Sequence, residues 1–190
     1  MDAIALLTGD HNQVRGLFKR FKDAEESDNK ATMQELAPKI FEALEVHTTI
    51  EEEIFYPSIK ETSEEVSDVV AEGFEEHGVA KTLLEELKAG EVGSETWVAK
   101  FKVLIENVEH HAEEEEKEMF PPLRSGLGSG KLVQLAEKME ARKAELGAPT
   151  SADTKDLTKE QLSELASKQE IPGRSSMSQE ELALAVDPRG

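Results

Sequence analysis

The chain has 190 residues, no cysteine and a net charge of −19 at pH 7, with 41 acidic against 22 basic side chains. This charge repels nucleic acid and anionic membranes, and the lack of thiols excludes disulfides, zinc fingers and thiolate iron sites. No apolar run approaches the roughly 20 residues of a membrane span and no signal peptide is recognised, so we expect a cytoplasmic protein without a membrane partner.

Helical periodicity runs through the first 146 residues, and no stretch shows the alternation of a strand. The first predicted helix has one apolar stripe that contains a single histidine, and the second carries its stripe into a longer motif. The third helix begins at a Thr62-x-x-Glu65 capping pattern, and the fourth ends in a second copy of the motif. Four amphipathic helices with short connections predict an all-α fold, an antiparallel up-down four-helix bundle.

Further along the chain, a fifth helix is predicted over about residues 131–146, before a helix-stopping Gly147. Residues 147–156 are rich in Gly, Ala, Pro, Thr, Ser and Asp, which predicts a linker. Two capping boxes, Thr158-x-x-Gln161 and Ser178-x-x-Glu181, then flank an extended turn. The sequence therefore predicts a domain over residues 1–146, the linker, and a small helical module over residues 157–190.

The repeated motif is the most informative feature of the sequence. In each copy a His stands four residues before a Glu, and an aromatic residue followed by Pro closes the motif; the pairs are His47 with Glu51 and His111 with Glu115. Residues four apart share one face of a helix, so each copy directs an imidazole and a carboxylate to the same point. A single His precedes each copy by 36 or 34 residues. This spacing indicates that the second helix pair duplicates the first.

Six polar residues fall on the stripes that we predict to be buried: His11, His47, Glu51, His77, His111 and Glu115. An ionised carboxylate without a partner costs several kcal/mol in an apolar core, and two facing carboxylates cost more. Cations remove this cost, and nitrogen together with bridging oxygen ligands suits iron or manganese. For any one histidine a hydrogen-bonded core position is a reasonable alternative, but the six together favour a site for two metal ions.

These residues give the chain its resemblance to the hemerythrin-like, or HHE cation-binding, family, over roughly residues 2–125. The resemblance implies a non-haem centre of two iron ions with an oxo or hydroxo bridge, with manganese the less favoured metal. It implies imidazole ligands from His11, His47, His77 and His111 and bridging carboxylates from Glu51 and Glu115. It also implies a reaction with a small oxidant: hydrogen peroxide, dioxygen or nitric oxide.

The chain departs from the family pattern at Gly73. Oxygen-carrying hemerythrins resemble this pattern but have a fifth His there, one turn before the position of His77. Tyr56, the only tyrosine, either supplies a phenolate to ferric iron or packs the end of the bundle, and both interpretations remain open. His110 lies about 100° from the buried stripe, which favours a surface pair with Glu114 over a metal ligand.

Two further glutamates, Glu52 and Glu116, occupy matching positions of the repeat. We predict that they contact the metal-binding residues without binding the metal themselves. We interpret the acidic runs around them mainly as solvated helix faces rather than as a path for ion entry. The missing fifth His disfavours oxygen carriage, so we expect catalase-like peroxide decomposition or a related oxidative or nitrosative detoxification. Reversible dioxygen binding, or iron or oxygen sensing without turnover, is the alternative.

The C-terminal segment carries a weaker resemblance, to Rho-N or SAP-like helix–extension–helix modules, which often contact nucleic acid. Residues 151–190 contain five basic and eight acidic side chains, and only Lys168 and Arg174 could begin a basic patch. Because binding to phosphates depends on positive charge, nucleic acid is an unfavourable partner here. We expect a module that docks on a protein.

Overall fold

The computed structural model describes residues 1–60, 62 and 64–190, apart from the side chain of residue 65. The described residues form helices and contain no strand, which confirms the all-α prediction. The helices are α1 (Ala3–Glu26), α2 (Lys30–Ile50), α3 (Tyr56–Ile59), α4 (Glu64–Ala89), α5 (Glu95–Glu114), α6 (Phe120–Gly126), α7 (Ser129–Glu145), α8 (Ser151–Thr154), α9 (Lys159–Lys168) and α10 (Gln179–Ala185). The predicted capping pair of Thr62 with Glu65 depends on a side chain outside the described residues.

The four long helices form a helical bundle in which α1 contacts α2 and α5, and α4 contacts α5 and α2. Two apolar clusters fill its interior. One contains Leu7, Ile50 and residues of α7, and the other contains Val14, Leu44 and the stacked rings of Phe21 and Phe101. On α1 and α2 the buried histidines lie between the two clusters, so packing on both sides holds a polar layer in place.

A wide turn interrupts the helical hydrogen bonding at each copy of the repeated motif. The backbone passes from α2 through a π segment, Glu51–Phe55, and from α5 through a second one, Glu115–Met119. Pro57 follows the first and Pro121 the second. Since proline lacks an N–H and clashes with the carbonyl four residues earlier, the helix cannot keep its register as it approaches either proline. Such π segments are frequent at functional sites, and here each begins at the glutamate of the motif.

The C-terminal segment has a small apolar core of its own: Leu162, Ala166, Ile171, Leu182, Ala185 and Val186. Helices α9 and α10 begin at the two predicted capping boxes, which the structure confirms. The stretch 147–156, expected to be a linker, contains α8, because Thr150 and Asp153 form a third capping box.

The C-terminal segment packs directly on the bundle, because its helix α10 contacts α1. A Cβ atom added at Gly16 would lie 2.6 Å from the carbonyl oxygen of Gln169, and one at Gly9 would lie 2.7 Å from Cβ of Leu184. The two glycines therefore allow a close approach that any larger residue would prevent. In the described part of the chain, no helix has the length and apolar character needed to cross a membrane.

Candidate metal centre

The bundle brings the six residues selected from the sequence into one buried cluster, with one histidine from each long helix and one glutamate from each π segment: His11, His47, Glu51, His77, His111 and Glu115. Their ligand atoms form two groups. His11, His47, Glu51 and Glu115 make the first, and Glu51, His77 and His111 make the second. Within each group these atoms all lie within 4.8 Å of one another. Glu51 is thus shared between two sites that could each hold a metal ion.

Glu51 occupies the middle of the cluster. Its Oε2 lies 3.3 Å from Nε2 of His47, 3.3 Å from Nε2 of His77 and 3.9 Å from Nε2 of His111. Oε2 of Glu115 lies 3.3 Å from Nε2 of His11. The Nε2 atoms of the four histidines therefore all point toward the two carboxylates.

Several of these atoms are buried without a hydrogen-bond partner among the described residues. They include both carboxylate oxygens of Glu51, Oε2 of Glu115 and Nε2 of His11. A buried polar group that lacks a partner is costly, and nitrogen and carboxylate oxygen are donors that iron and manganese accept. The cluster therefore fits a bound metal.

Electrostatics keeps the central carboxylate ionised. Burial raises the pKa of Glu51, but the surrounding imidazoles outweigh burial and hold that pKa well below its ordinary value. Burial lowers the pKa of His11, while the nearby carboxylates of Glu115 and Glu116 outweigh this effect and raise it to about 9. The buried carboxylates of the cluster thus need positive charge close by. A bound cation could supply that charge in place of protons on the histidines.

The outer ring nitrogen, Nδ1, of His11 and of His77 lies beside one of the two repeat-matched glutamates, Glu116 and Glu52. Oε1 of Glu116 lies 2.9 Å from Nδ1 of His11, and Oε1 of Glu52 lies 3.0 Å from Nδ1 of His77. A carboxylate in this position fixes the tautomer and the orientation of a metal-binding imidazole.

The remaining two histidines have partners that the sequence analysis missed. Oε2 of Glu76 lies 2.8 Å from Nδ1 of His111, and Oδ2 of Asp10 lies 3.6 Å from Nδ1 of His47. Asp10 and Glu76 each directly precede a single histidine of the repeat, His11 and His77 respectively. This matched acidic residue in the two halves was the signal that could have identified them.

Tyr56 is fully buried at the edge of the cluster, beside Gly73. Its hydroxyl donates a hydrogen bond to Oε1 of Glu115 at 3.0 Å and lies 3.4 Å from Nε2 of His111. A Cβ atom at Gly73 would lie 2.8 Å from the Tyr56 hydroxyl oxygen. Burial, together with the charges of Glu51 and Glu115, raises the pKa of Tyr56 well above its ordinary value. Gly73 thus leaves the space that this hydroxyl occupies.

His110 lies outside the cluster. Its side chain is 63% exposed, and its Nε2 lies 3.2 Å from Oε1 of Glu114 and 3.8 Å from Oε1 of Glu76. The neighbouring His111 points inward because it lies on the buried face of α5.

A narrow cavity of about 20 Å³ reaches the cluster beside His11, His47 and His111. Its apolar walls are formed by Val14, Phe18, Leu44, Val108 and Ala112. Such a lining offers few hydrogen bonds to water, and the volume suits a molecule of about the size of water.

Comparison with known proteins places these features in a family. The sequence profile described as hemerythrin HHE cation binding domain matches residues 2–123. A DNA nickase from Nostoc sp. is 28% identical over 137 residues, which cover 72% of this chain but only 38% of the nickase. Uncharacterized proteins Rv2633c of Mycobacterium tuberculosis and Mb2666c of Mycobacterium bovis are each 27% identical over 151 residues, 78% of this chain and 90% of theirs. No solved structure matches the chain.

Proposed function

The chain belongs to the hemerythrin HHE cation-binding domain family, and from this premise we propose that it holds two iron ions in the buried cluster and decomposes hydrogen peroxide. The observation that carries the proposal is the pair of buried His/Glu groups that share Glu51. Iron is favoured over manganese, which accepts the same donors.

The proposed architecture is an antiparallel up-down four-helix bundle over residues 1–146, extended by α7. The ring of contacts among α1, α2, α4 and α5 supports it, as does the contribution of one histidine by each of these helices. In this arrangement His11, His47, Glu51 and Glu115 would hold one iron ion, and His77 and His111 would hold the other together with Glu51. Residues 157–190 form a separate small module that docks on the bundle or on a protein partner.

The proposed reaction consumes two molecules of hydrogen peroxide. One takes up two electrons and two protons and becomes two water molecules, and the other gives up two electrons and two protons and becomes dioxygen. The iron pair, when bound, supplies and takes back the two electrons.

The protein's own residues shape the surroundings of this chemistry. The apolar cavity beside His11 limits the access of bulk water. Glu52, Glu76 and Glu116 hold the ring nitrogens of their histidines, which fixes the direction of each Nε2 atom. The Tyr56 hydroxyl donates a hydrogen bond to Glu115 over 3.0 Å, and this proton would have to leave for the phenol oxygen to bind iron as a phenolate.

Tyr56 is the feature that favours peroxide over oxygen carriage. We propose that its oxygen, close to both Glu115 and His111, takes the position left by the missing fifth imidazole. A hard oxygen donor favours ferric iron, whereas reversible oxygen carriage requires a ferrous pair. Dioxygen binding is the second candidate, because the apolar cavity suits a neutral diatomic molecule as well. Nicking of DNA is named only for the Nostoc relative, and the charge of −19 opposes binding to phosphates.

The first prediction concerns the freshly purified protein. We expect two iron ions per chain and, after addition of hydrogen peroxide, release of one dioxygen for two peroxides consumed. Elemental analysis, a visible spectrum and an oxygen electrode measure this. His111→Ala should lower the iron content and abolish turnover, whereas the exposed neighbour His110→Ala should keep the metal. A protein without metal contradicts the proposal, and visible bands that return unchanged over cycles of oxygenation would establish dioxygen binding instead.

The second prediction concerns Tyr56→Phe. Because the six other ligands remain, this variant should keep its iron but lose any phenolate-to-iron charge-transfer band, which the visible spectrum reports. Phe120→Leu, at the matching position of the second motif, should leave the band in place and so serves as the control. A band that survives in Tyr56→Phe would limit this residue to packing and to its hydrogen bond with Glu115.

A further inference from the structure

Two of the carboxylates that lie beside the outer ring nitrogens of the histidines, Glu116 and Glu52, also form an ion pair with a basic side chain. The two basic residues occupy matching positions of the repeat. Arg15 donates to Glu116 at 2.8 and 3.1 Å, and Lys81 donates to both oxygens of Glu52 at 2.6 Å. Arg15 stands four residues after His11, and Lys81 stands four residues after the matching His77. The duplication therefore extends outward from the ligands to a layer of cations.

The carboxylate behind His47 breaks this pattern, because its cation comes from another part of the chain. Nζ of Lys143, on α7, lies 2.5 Å from Oδ1 of Asp10. Lys143 is 9% exposed and Asp10 6%, so this ion pair is buried. Lys143 also lies beyond residues 2–123, over which the family profile matches.

The asymmetry has a counterpart in the sequence. In the second half of the repeat, Glu76 has the imidazole of His110 at 3.8 Å, directly before the ligand His111. The corresponding residue before His47 is Val46, which is buried and carries no charge. Lys143 therefore supplies from α7 the nitrogen partner for the carboxylate that this half of the repeat lacks.

The geometry at Asp10 also differs from that at the other carboxylates. Its Oδ2 lies 3.6 Å from Nδ1 of His47, too far for a hydrogen bond, and both atoms lack one among the described residues. The other three histidines have carboxylate oxygens at 2.8–3.0 Å from Nδ1. Lys143 thus holds the Asp10 carboxylate and draws it away from the imidazole.

We propose that Lys143 is a positioning residue of the metal centre, which acts through Asp10 to limit the negative charge that reaches His47. A carboxylate on the outer nitrogen raises the basicity of a ligating imidazole, so withholding it makes His47 the weakest donor of the four histidines. The two metal positions then differ in electron donation even though the repeat makes their ligands alike. The inference rests on the proposed iron site and adds a residue that the family match does not contain.

The test compares the metal-loaded forms of the wild type, Lys143→Met, Lys143→Arg and Asp10→Asn. In Lys143→Met the carboxylate is free to approach His47, so we expect the reduction potential to fall and the visible bands to shift. In Asp10→Asn the charge of Lys143 is no longer balanced, so we expect a shift of the potential in the opposite direction. Lys143→Arg keeps the charge and should restore values near those of the wild type. Lys138→Met, exposed on the same helix, is the matched control.

A buried carboxylate without its cation also destabilises the fold, so Lys143→Met risks misfolding. The double variant Asp10→Asn/Lys143→Met removes both charges, so it should fold as the wild type does and hold iron at a potential near that of the wild type. If Lys143→Met loads iron at the wild-type potential, or if the double variant shows the same lowered potential as Lys143→Met, the inference is overturned while the proposed function stands. A wild type that holds no metal overturns both.

Discussion

Replacing Glu51 by Gln is expected to weaken metal binding at both sites, whereas replacing Glu115 by Gln should weaken it only at the site that Glu115 shares with His11 and His47, so that less metal is lost. The difference follows from the geometry. Glu51 belongs to both groups of ligand atoms, and both of its oxygens are buried without hydrogen bonds among the described residues. Glu115 belongs to one group only, and its Oε1 already accepts a hydrogen bond from Tyr56.

Elemental analysis and equilibrium dialysis with ferrous iron measure this difference. Thermal unfolding gives an independent readout, because a ligand at 100 times its Kd stabilises the folded state by about 2.7 kcal/mol. The wild type should gain this stabilisation when iron is added, and Glu51→Gln should not. Glu118→Gln, exposed in the second π segment, should behave as the wild type does. Equal loss of metal from Glu51→Gln and Glu115→Gln would mean that the two glutamates act as equivalent bridges.

The inner part of the candidate site could be predicted from spacing alone. A helix has a fixed period, so a histidine on an apolar stripe and a glutamate four residues later must share its buried face. The doubling of this pattern made the match specific, and the structure brings all six residues together. The prediction needed no knowledge of how the helices pack beyond the burial of their stripes.

Other features depend on packing and could not be predicted in this way. A prediction that assumes one helical period throughout does not include the two π segments. Pro57 and Pro121 do mark the places where regular α-helical hydrogen bonding is interrupted. The repeat makes Glu51 and Glu115 equivalent, whereas in the structure Glu51 belongs to both ligand groups and Glu115 accepts a hydrogen bond from Tyr56, beside Gly73. Such a contact joins residues that no sequence period relates.

The packing of the C-terminal segment on α1 belongs to this second class. Gly9 and Gly16 stand seven residues apart, and therefore on one face of α1, but glycine in a helix has many causes. Their role becomes evident only when Leu184 and the backbone of Gln169 are seen against them. A domain boundary deduced from composition separates these partners.

Two glycine-to-alanine changes on different helices should alter the free energy of unfolding in opposite directions. At Gly16 the new methyl group would meet the carbonyl oxygen of Gln169 at 2.6 Å, and a backbone oxygen has little freedom to move away. Overpacking of this kind costs about 1–3 kcal/mol, so we expect Gly16→Ala to lower the free energy of unfolding and to expose residues 147–156 to proteases. At Gly78, within α4, no described atom lies within 4 Å of the new methyl group apart from its chain neighbours and the backbone of its own helix. Gly78→Ala should therefore stabilise the protein, by up to about 1 kcal/mol.

Urea denaturation and limited proteolysis provide the measurements, and iron content distinguishes the two parts of the molecule. None of the six clustered residues belongs to the C-terminal segment, so a Gly16→Ala protein with a loosened segment should still bind iron as the wild type does. If it instead loses iron in proportion to the loosening, the segment helps to hold α1 and His11 in place, and the module and the bundle act as one structural unit. A Gly16→Ala protein that is more stable than the wild type would contradict the close packing itself, because helix propensity would then outweigh the contact.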